Sequence, residues 1–316
     1  MSDLPKFVHI MEVGPRDGLQ IEPRLVATAD KIRLIDALAA AGVTEIEAGS
    51  FVNPRAVPQM ADSEDVFRGI PRREGVDYRA LWLNAKGLER AIANGAVDVE
   101  GKLTLTASET FIRRNTNRSI DDTFAEMPQW IARYRAAGVP VTRLGLMAAF
   151  GCNFEGYIPE AWVLDLVARA VAVMEENGCR LQDLNLADTM GWANPAQVKR
   201  LVGAVRERWP GLTIKLHLHD TRGQAVANAV AAMEMGVAHF DASVGGLGGC
   251  PFAGHKGAAG NVCTEDLVFS CTEMGIDTGI DIDAMVEAAR LAEDLVGHEL
   301  PGKVMKGGTL TRFKAG

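Results

Sequence analysis

Two rhythms of apolar residues alternate along this chain. Short runs of strand length, at 7–13, 44–48, 79–84, 101–107, 142–149, 183–187, 213–219 and 239–244, are separated by longer stretches whose apolar residues recur every three or four positions. The stretches DKIRLIDALAAAG at 30–42 and QAVANAVAAMEMG at 224–236 show the helical rhythm plainly. Glycine stands shortly before the next strand at Gly42, Gly95, Gly138, Gly178 and Gly236, where a helix-to-strand loop calls for a left-handed stop. Eight strand–helix repeats without a Pro/Gly/Ser-rich linker predict an α/β fold. The expected form is a single (β/α)8 TIM barrel over 1–280, with 281–316 as an added C-terminal helical segment packed on it. An open doubly wound sheet is the alternative, but it calls for a Gly-rich fingerprint after the first strand, and GPRDG at 14–18 is not one.

Composition narrows the picture further. The 316 residues are 47% hydrophobic and 23% charged, ample for a buried core. The balance of 33 Lys+Arg against 41 Asp+Glu, −8 overall, and the lack of a basic run speak against nucleic acid as a partner. No run of 18 apolar residues occurs, and residues 1–6 carry no basic segment leading into an apolar one, so the expectation is a soluble cytoplasmic protein with no membrane contact. The five cysteines, Cys152, Cys179, Cys250, Cys263 and Cys271, include no C-x-x-C pair, which argues against a disulfide framework and a structural zinc.

In such a barrel the chemistry sits at the C-terminal ends of the strands. His217 and His219 are two apart on the seventh strand, hence on one face and about 7 Å apart along the chain. A lone strand histidine is usually just hydrogen-bonded; two at a strand end, followed by Asp220, read as ligands. Asp17 lies just past the first strand and can converge on them when a barrel closes, although Asp-Gly is also a common turn pair. A carboxylate and two imidazoles invite a divalent cation. Arg16 offers a fixed guanidinium fork for a developing enolate oxygen, against a plainer role in a surface salt bridge. Glu47 and Asp188, at the ends of the second and sixth strands, act directly or hold ligands in orientation. The segment GGLGGCP at 245–251 reads as a mobile loop that brings Cys250 to the site as a proton donor or acceptor, or as a hinge whose cysteine is incidental. Asn261 is either an N-cap of the following helix or an oxygen ligand.

Taken together, the motifs EVGPRDGLQ (12–20), IEAGSFV (46–52), AFGCNFEG (149–156), LADT (186–189), HLHDT (217–221) and GGLGGCP (245–251) span most of the chain. Their order resembles the 3-hydroxy-3-methylglutaryl-coenzyme A lyase family of metal-dependent lyases and synthases on a (β/α)8 barrel. The resemblance implies Asp17, His217, His219 and Asn261 as metal ligands, Arg16 and Asp188 as substrate-binding residues, and Arg16, Glu47, His217 and Cys250 as the catalytic set. A donor set of oxygen and nitrogen without thiolate suggests Mg2+ or Mn2+ over Zn2+. The implied reaction is retro-Claisen cleavage of a 3-hydroxyacyl-CoA, 3-hydroxy-3-methylglutaryl-CoA giving acetyl-CoA and acetoacetate. His217 or a carboxylate takes the hydroxyl proton, Arg16 stabilises the enolate and Cys250 protonates its carbon. The family also suggests a homodimer.

Three departures from the lyase pattern stand out: Ile21 where it usually has Asn, Gly49 where it usually has Thr or Ser, and two extra residues, His255-Lys256, between Cys250 and Asn261. They keep open a lyase for a related acyl-CoA, such as citramalyl-CoA cleaved to acetyl-CoA and pyruvate. A Claisen-type synthase or aldolase of the same superfamily is a further alternative, and a non-catalytic barrel that binds a metal or acyl-CoA is a third.

Overall fold

The computed structural model describes residues 4–249 and 259–314. All eight expected strands form, as β1 (His9–Glu12), β2 (Glu45–Ser50), β3 (Asp77–Leu81), β4 (Gly101–Thr106), β5 (Val141–Met147), β6 (Asp183–Ala187), β7 (Thr213–His217) and β8 (His239–Ala242). Between and after them run α1 (Thr28–Ala40), α2 (Ser63–Gly69), α3 (Ala85–Asn94), α4 (Glu109–Thr116), α5 (Ile120–Ala136), α6 (Glu160–Glu176), α7 (Pro195–Arg208), α8 (Ala225–Glu234), α9 (Thr264–Glu273) and α10 (Ile282–Val296). The five predicted glycine stops all have positive φ. At Gly42, with φ 103, a Cβ would also lie 2.3 Å from the Gly279 carbonyl oxygen, so conformation and space both demand glycine. A small antiparallel hairpin of Gly151–Cys152 and Gly156–Tyr157 follows β5 and interrupts the simple strand–helix count.

The described chain falls into two compact units. One is built on Glu100–His239 and carries β7-β6-β5-β4 as hydrogen-bonded parallel neighbours. Along these strands Leu144, Leu146, Leu184, Leu186, Leu216 and Leu218 are buried, while Arg143, Asp183, Asn185, Lys215 and His217 alternate with them on the other face. At the start of that polar face Arg143 bridges Glu100 at 2.7 Å and Asp183 at 3.3 Å. His217 stands at its far end, four residues or roughly 13 Å along β7 from Thr213. Phe111, Ala148, Cys152 and Met190 form a small separate cluster beside the hairpin.

The other unit contains Lys6–Val99, Phe240–Gly249 and the described residues from 259 on. Here β3-β2-β1-β8 are neighbours. Leu34, Ile35 and Leu38 of α1 share one core with Met285, Val286 and Ala289 of α10. The start of α10 is fixed by Asp281, whose carboxylate accepts from the backbone N–H groups of Asp283 and Ala284. Among the described residues no helix is long and apolar enough to cross a membrane.

Candidate functional site

Arg16 and Asp17 are not held by an ordinary turn. The segment Gly14–Gly18 forms one π-helical turn in which the amides of Arg16, Asp17 and Gly18 all point to the Val13 carbonyl, at 3.1, 2.7 and 3.3 Å. Pro15 has no N–H to satisfy in that first turn. Gly14 has no room for a side chain, because a Cβ there would lie 2.6 Å from Glu12 Oε1. The turn sets the Arg16 guanidinium between two carboxylates: Nε donates to Glu47 Oε2 at 2.5 Å, and Nη1 pairs with Asp17. Burial opposes the charge on Arg16, but Asp17, Glu47 and Asp241 outweigh it and raise its pKa above the ordinary value. Directly after Glu47 the register of β2 against β3 shifts, between Glu47 and Gly49. Gly49 fits there because Ser63 Oγ and Phe67 occupy the space a side chain would need, with Ser63 Oγ 2.9 Å from the would-be Cβ.

Asn261 completes this cluster. It is fully buried and does not cap α9, whose N-cap is Cys263. Its Nδ2 donates to Asp17 Oδ2 at 2.8 Å and to the Leu247 carbonyl at 3.2 Å. Its Oδ1 is buried with no hydrogen-bond partner among the described residues, which is costly unless something else meets it.

In the unit of Glu100–His239, His217 and His219 turn their Nε2 atoms toward each other, 3.0 Å apart. Two neutral imidazoles in that position need one nitrogen to carry a proton. The spacing is also the separation of about 3 Å that two ligands at right angles would have at about 2.1 Å from one ion. In chemistry alone, two imidazole nitrogens in this unit, and a carboxylate and a buried amide oxygen in the other, are donors of the kind a divalent cation takes. Asp188 is wholly buried; its Oδ1 accepts from Trp192 N at 2.7 Å and Ala193 N at 3.1 Å. Burial pushes its pKa up to about 6, against those two bonds and the nearby His217 and Arg222.

Cys250, His255 and Lys256 lie outside the described residues. Ile21 is described, and its Cδ1 lies 3.7 Å from where a Cβ of Gly249 would be. Sequence reasoning missed Glu12. Its carboxylate is buried and accepts from Gly14 N at 2.7 Å, Val244 N at 2.9 Å and Thr264 Oγ1 at 2.6 Å. Burial raises its pKa to about 7. The available signal was an acid inside the otherwise apolar run FVHIMEV.

The comparisons with known proteins bear on the family and the fold. Hydroxymethylglutaryl-CoA lyase of Rattus norvegicus mitochondria is 43% identical over 304 residues, covering 96% of this chain and 90% of the relative. The crystal structure of the Bacillus subtilis HMG-CoA lyase has a TM-score of 0.88 at 41% identity, covering 96% of this chain and 98% of that one. An HMG-CoA lyase from Acinetobacter baumannii, solved in complex with coenzyme A and 3-methylmalate, has a TM-score of 0.85 at 42% identity, with coverage of 97% and 96%. The fold is thus an α/β (β/α)8 TIM barrel, as the alternating pattern predicts. The HMGL-like family model matches residues 7–292, and the chain belongs to that family.

Proposed function

We propose that this protein is a metal-dependent carbon–carbon lyase that cleaves 3-hydroxy-3-methylglutaryl-CoA to acetyl-CoA and acetoacetate. The observation that carries the reading is the converging pair of imidazole nitrogens of His217 and His219 at the end of β7, in a chain that matches lyases of that name along almost its whole length. In this reading Asp17, His217, His219 and Asn261 hold one Mg2+ or Mn2+. When bound, that ion supplies positive charge against the substrate's hydroxyl and carbonyl oxygens and lowers the hydroxyl pKa.

The residues of the chain do the rest. If Nε2 of His217 were a ligand, that nitrogen would not be free to accept a proton, and the hydroxyl proton would go to a carboxylate. Glu47, steadied by Arg16 through Oε2, is assigned that task. Loss of the proton turns the C–O bond into the ketone of acetoacetate as the C2–C3 bond breaks, and the electron pair passes to the acetyl-CoA enolate. Arg16 stabilises the enolate oxygen. Cys250 delivers a proton to its carbon. Asp188, buried and interacting with His217 by charge, supports the histidine side of the site.

Two of the three departures have local packing partners, and the third, His255-Lys256, lies outside the described residues. Gly49 is matched by Ser63 and Phe67 packed behind the strand, and Ile21 packs toward Gly249. A panel of acyl-CoA thioesters, including the hydroxymethylglutaryl and citramalyl forms, assayed for Mg2+- or Mn2+-dependent release of acetyl-CoA, ranks the alternatives. The hydroxymethylglutaryl thioester is expected to have the highest kcat/KM; a preference for another thioester, or no release at all, overturns the reading. A cytoplasmic homodimer belongs to the same proposal and rests on the family resemblance; light scattering tests its oligomeric part.

A further inference from the structure

The glycines at 245–249 read in the sequence as a source of mobility, yet the described part of that segment is closely packed. Gly245, Gly246 and Leu247 are buried. A Cβ on Gly260 would stand 2.0 Å from the Gly248 carbonyl oxygen and 2.8 Å from Gly249 N. One on Gly248, whose φ is +99, would stand 2.6 Å from Asn261 Nδ2 and 3.2 Å from the Asp17 carbonyl oxygen. One on Gly18 would meet Leu247 Cβ at 2.8 Å. At each of these points glycine backbone meets backbone, or the side chain of Asn261 or Leu247, in a space that admits no further side chain.

This contact has a chemical result at Asn261. Both hydrogens of its amide are used, on Asp17 Oδ2 and on the Leu247 carbonyl, and Oδ1 is the atom left over. Turning the amide over would set its oxygen against two acceptors, so the arrangement fixes which atom is presented. We infer that Gly248 and Gly260 are positioning residues for the cation: their close approach keeps the Leu247 carbonyl on the Asn261 amide and so presents Oδ1 as the ligand atom. The inference rests on the proposed ligand role of Asn261. It assigns these two glycines to the metal site.

Mn2+ affinity of the chelator-stripped full chain tests it, read from the electron paramagnetic resonance signal of free Mn2+ together with the melting temperature. Gly260→Ala is expected to weaken binding by roughly 10- to 100-fold, the usual range for losing a residue that orients a ligand. Gly211→Ala, where a Cβ meets nothing within 4 Å, is expected to bind as the wild type does. Wild-type affinity in a folded Gly260→Ala protein overturns the inference. Should Gly260→Ala fail to fold, hydrogen exchange on the wild-type chain decides: Mg2+ is expected to slow exchange at the amides of 246–249 and 260–261, because coupling between site and support is reciprocal. Unchanged exchange there while Mg2+ binds overturns the inference. A wild-type chain that takes up no Mn2+ removes the ligand reading itself, and an Asn261→Ala protein with normal affinity does the same; both outcomes are distinct from failure of the glycine variant alone.

Discussion

The two histidines at the end of β7 and the cluster of Arg16, Asp17, Glu47 and Asn261 reach their positions by opposite means. On β7 the alternation of a regular strand sets Ile214 and Leu216 apart from Lys215 and His217, and His219 follows two residues beyond the strand end. In the second region each functional group stands at an irregularity. Arg16 and Asp17 hang from a π-turn, Glu47 directly precedes a register shift, and Asn261 lies against a contact between glycines. Regular structure decides which side chains share a face. Irregular backbone decides which atom each one presents, and such features recur at functional sites for that reason.

If irregular backbone carries the chemistry, the largest effect belongs to Arg16→Lys. An ammonium cannot span Glu47 and Asp17 and still face an enolate oxygen with a fixed fork. Turnover is expected to fall by at least about 10³-fold, near the upper end for losing one oxyanion donor, with a melting temperature close to that of the wild type. Steady-state kinetics beside a thermal melt check both halves, and near-normal turnover would make the guanidinium a structural tie. Cys250→Ser comes next, with a loss of at least about 10²-fold in kcat because a hydroxyl is a poorer acid than a thiol, and with little change in Mn2+ affinity. Alkylation mapped by mass spectrometry should find Cys250 the most reactive thiol and substrate-protected. Cys152, Cys263 and Cys271 are buried, and burial pushes the Cys271 thiol up to about 12, so slow reaction is expected at all three.

The same contrast explains what could be read in the sequence. The strands, the helix stops and the shared face of His217 and His219 follow from periods of two and 3.6 residues and from glycine at chain reversals, all local signals. The π-turn was not legible because Asp17-Gly18 looks like any tight turn, and what Gly18 actually avoids is Leu247, more than 200 positions away. Asn261 stayed ambiguous between cap and ligand until the position of Cys263 at the helix start excluded the cap. Gly49 looked like a departure from the site pattern, whereas its compensation lies in α2, at Ser63 and Phe67. Glu12 was overlooked because its three partners come from Gly14, Val244 and Thr264, two of them at the other end of the chain.

Smaller effects sharpen the comparison. Gly49→Thr forces a Cβ to within 2.9 Å of Ser63 Oγ and is expected to cost about 1–3 kcal/mol by overpacking. A melting temperature lowered by several degrees would show it, and an unchanged one would mean that β2 gives way freely beside Glu47. The smallest effect is a slope with pH. Glu12 and Glu265 accept from the adjacent amides Val244 N and Gly245 N, and burial raises each from the ordinary 4.5 to about 7. Between those values the folded chain holds protons that the unfolded chain has lost. Their contribution to stability is therefore fully present below about 4.5 and lost as pH rises through about 7. Melting temperatures should decline from pH 5 to 8 on this account, and Glu12→Gln or Glu265→Gln should flatten the decline; a slope unaffected by either substitution rules the pair out as its source.

The proposed ligand set of Asp17, His217, His219 and Asn261 is tested most directly by pulsed electron paramagnetic resonance of the Mn2+-loaded chain. The account predicts one bound Mn2+ per chain coupled to two imidazole nitrogens, with His217→Ala and His219→Ala each removing one coupling and Asp17→Ala abolishing tight binding. A bound Mn2+ with no nitrogen coupling, or one held at full affinity without Asp17, would contradict it.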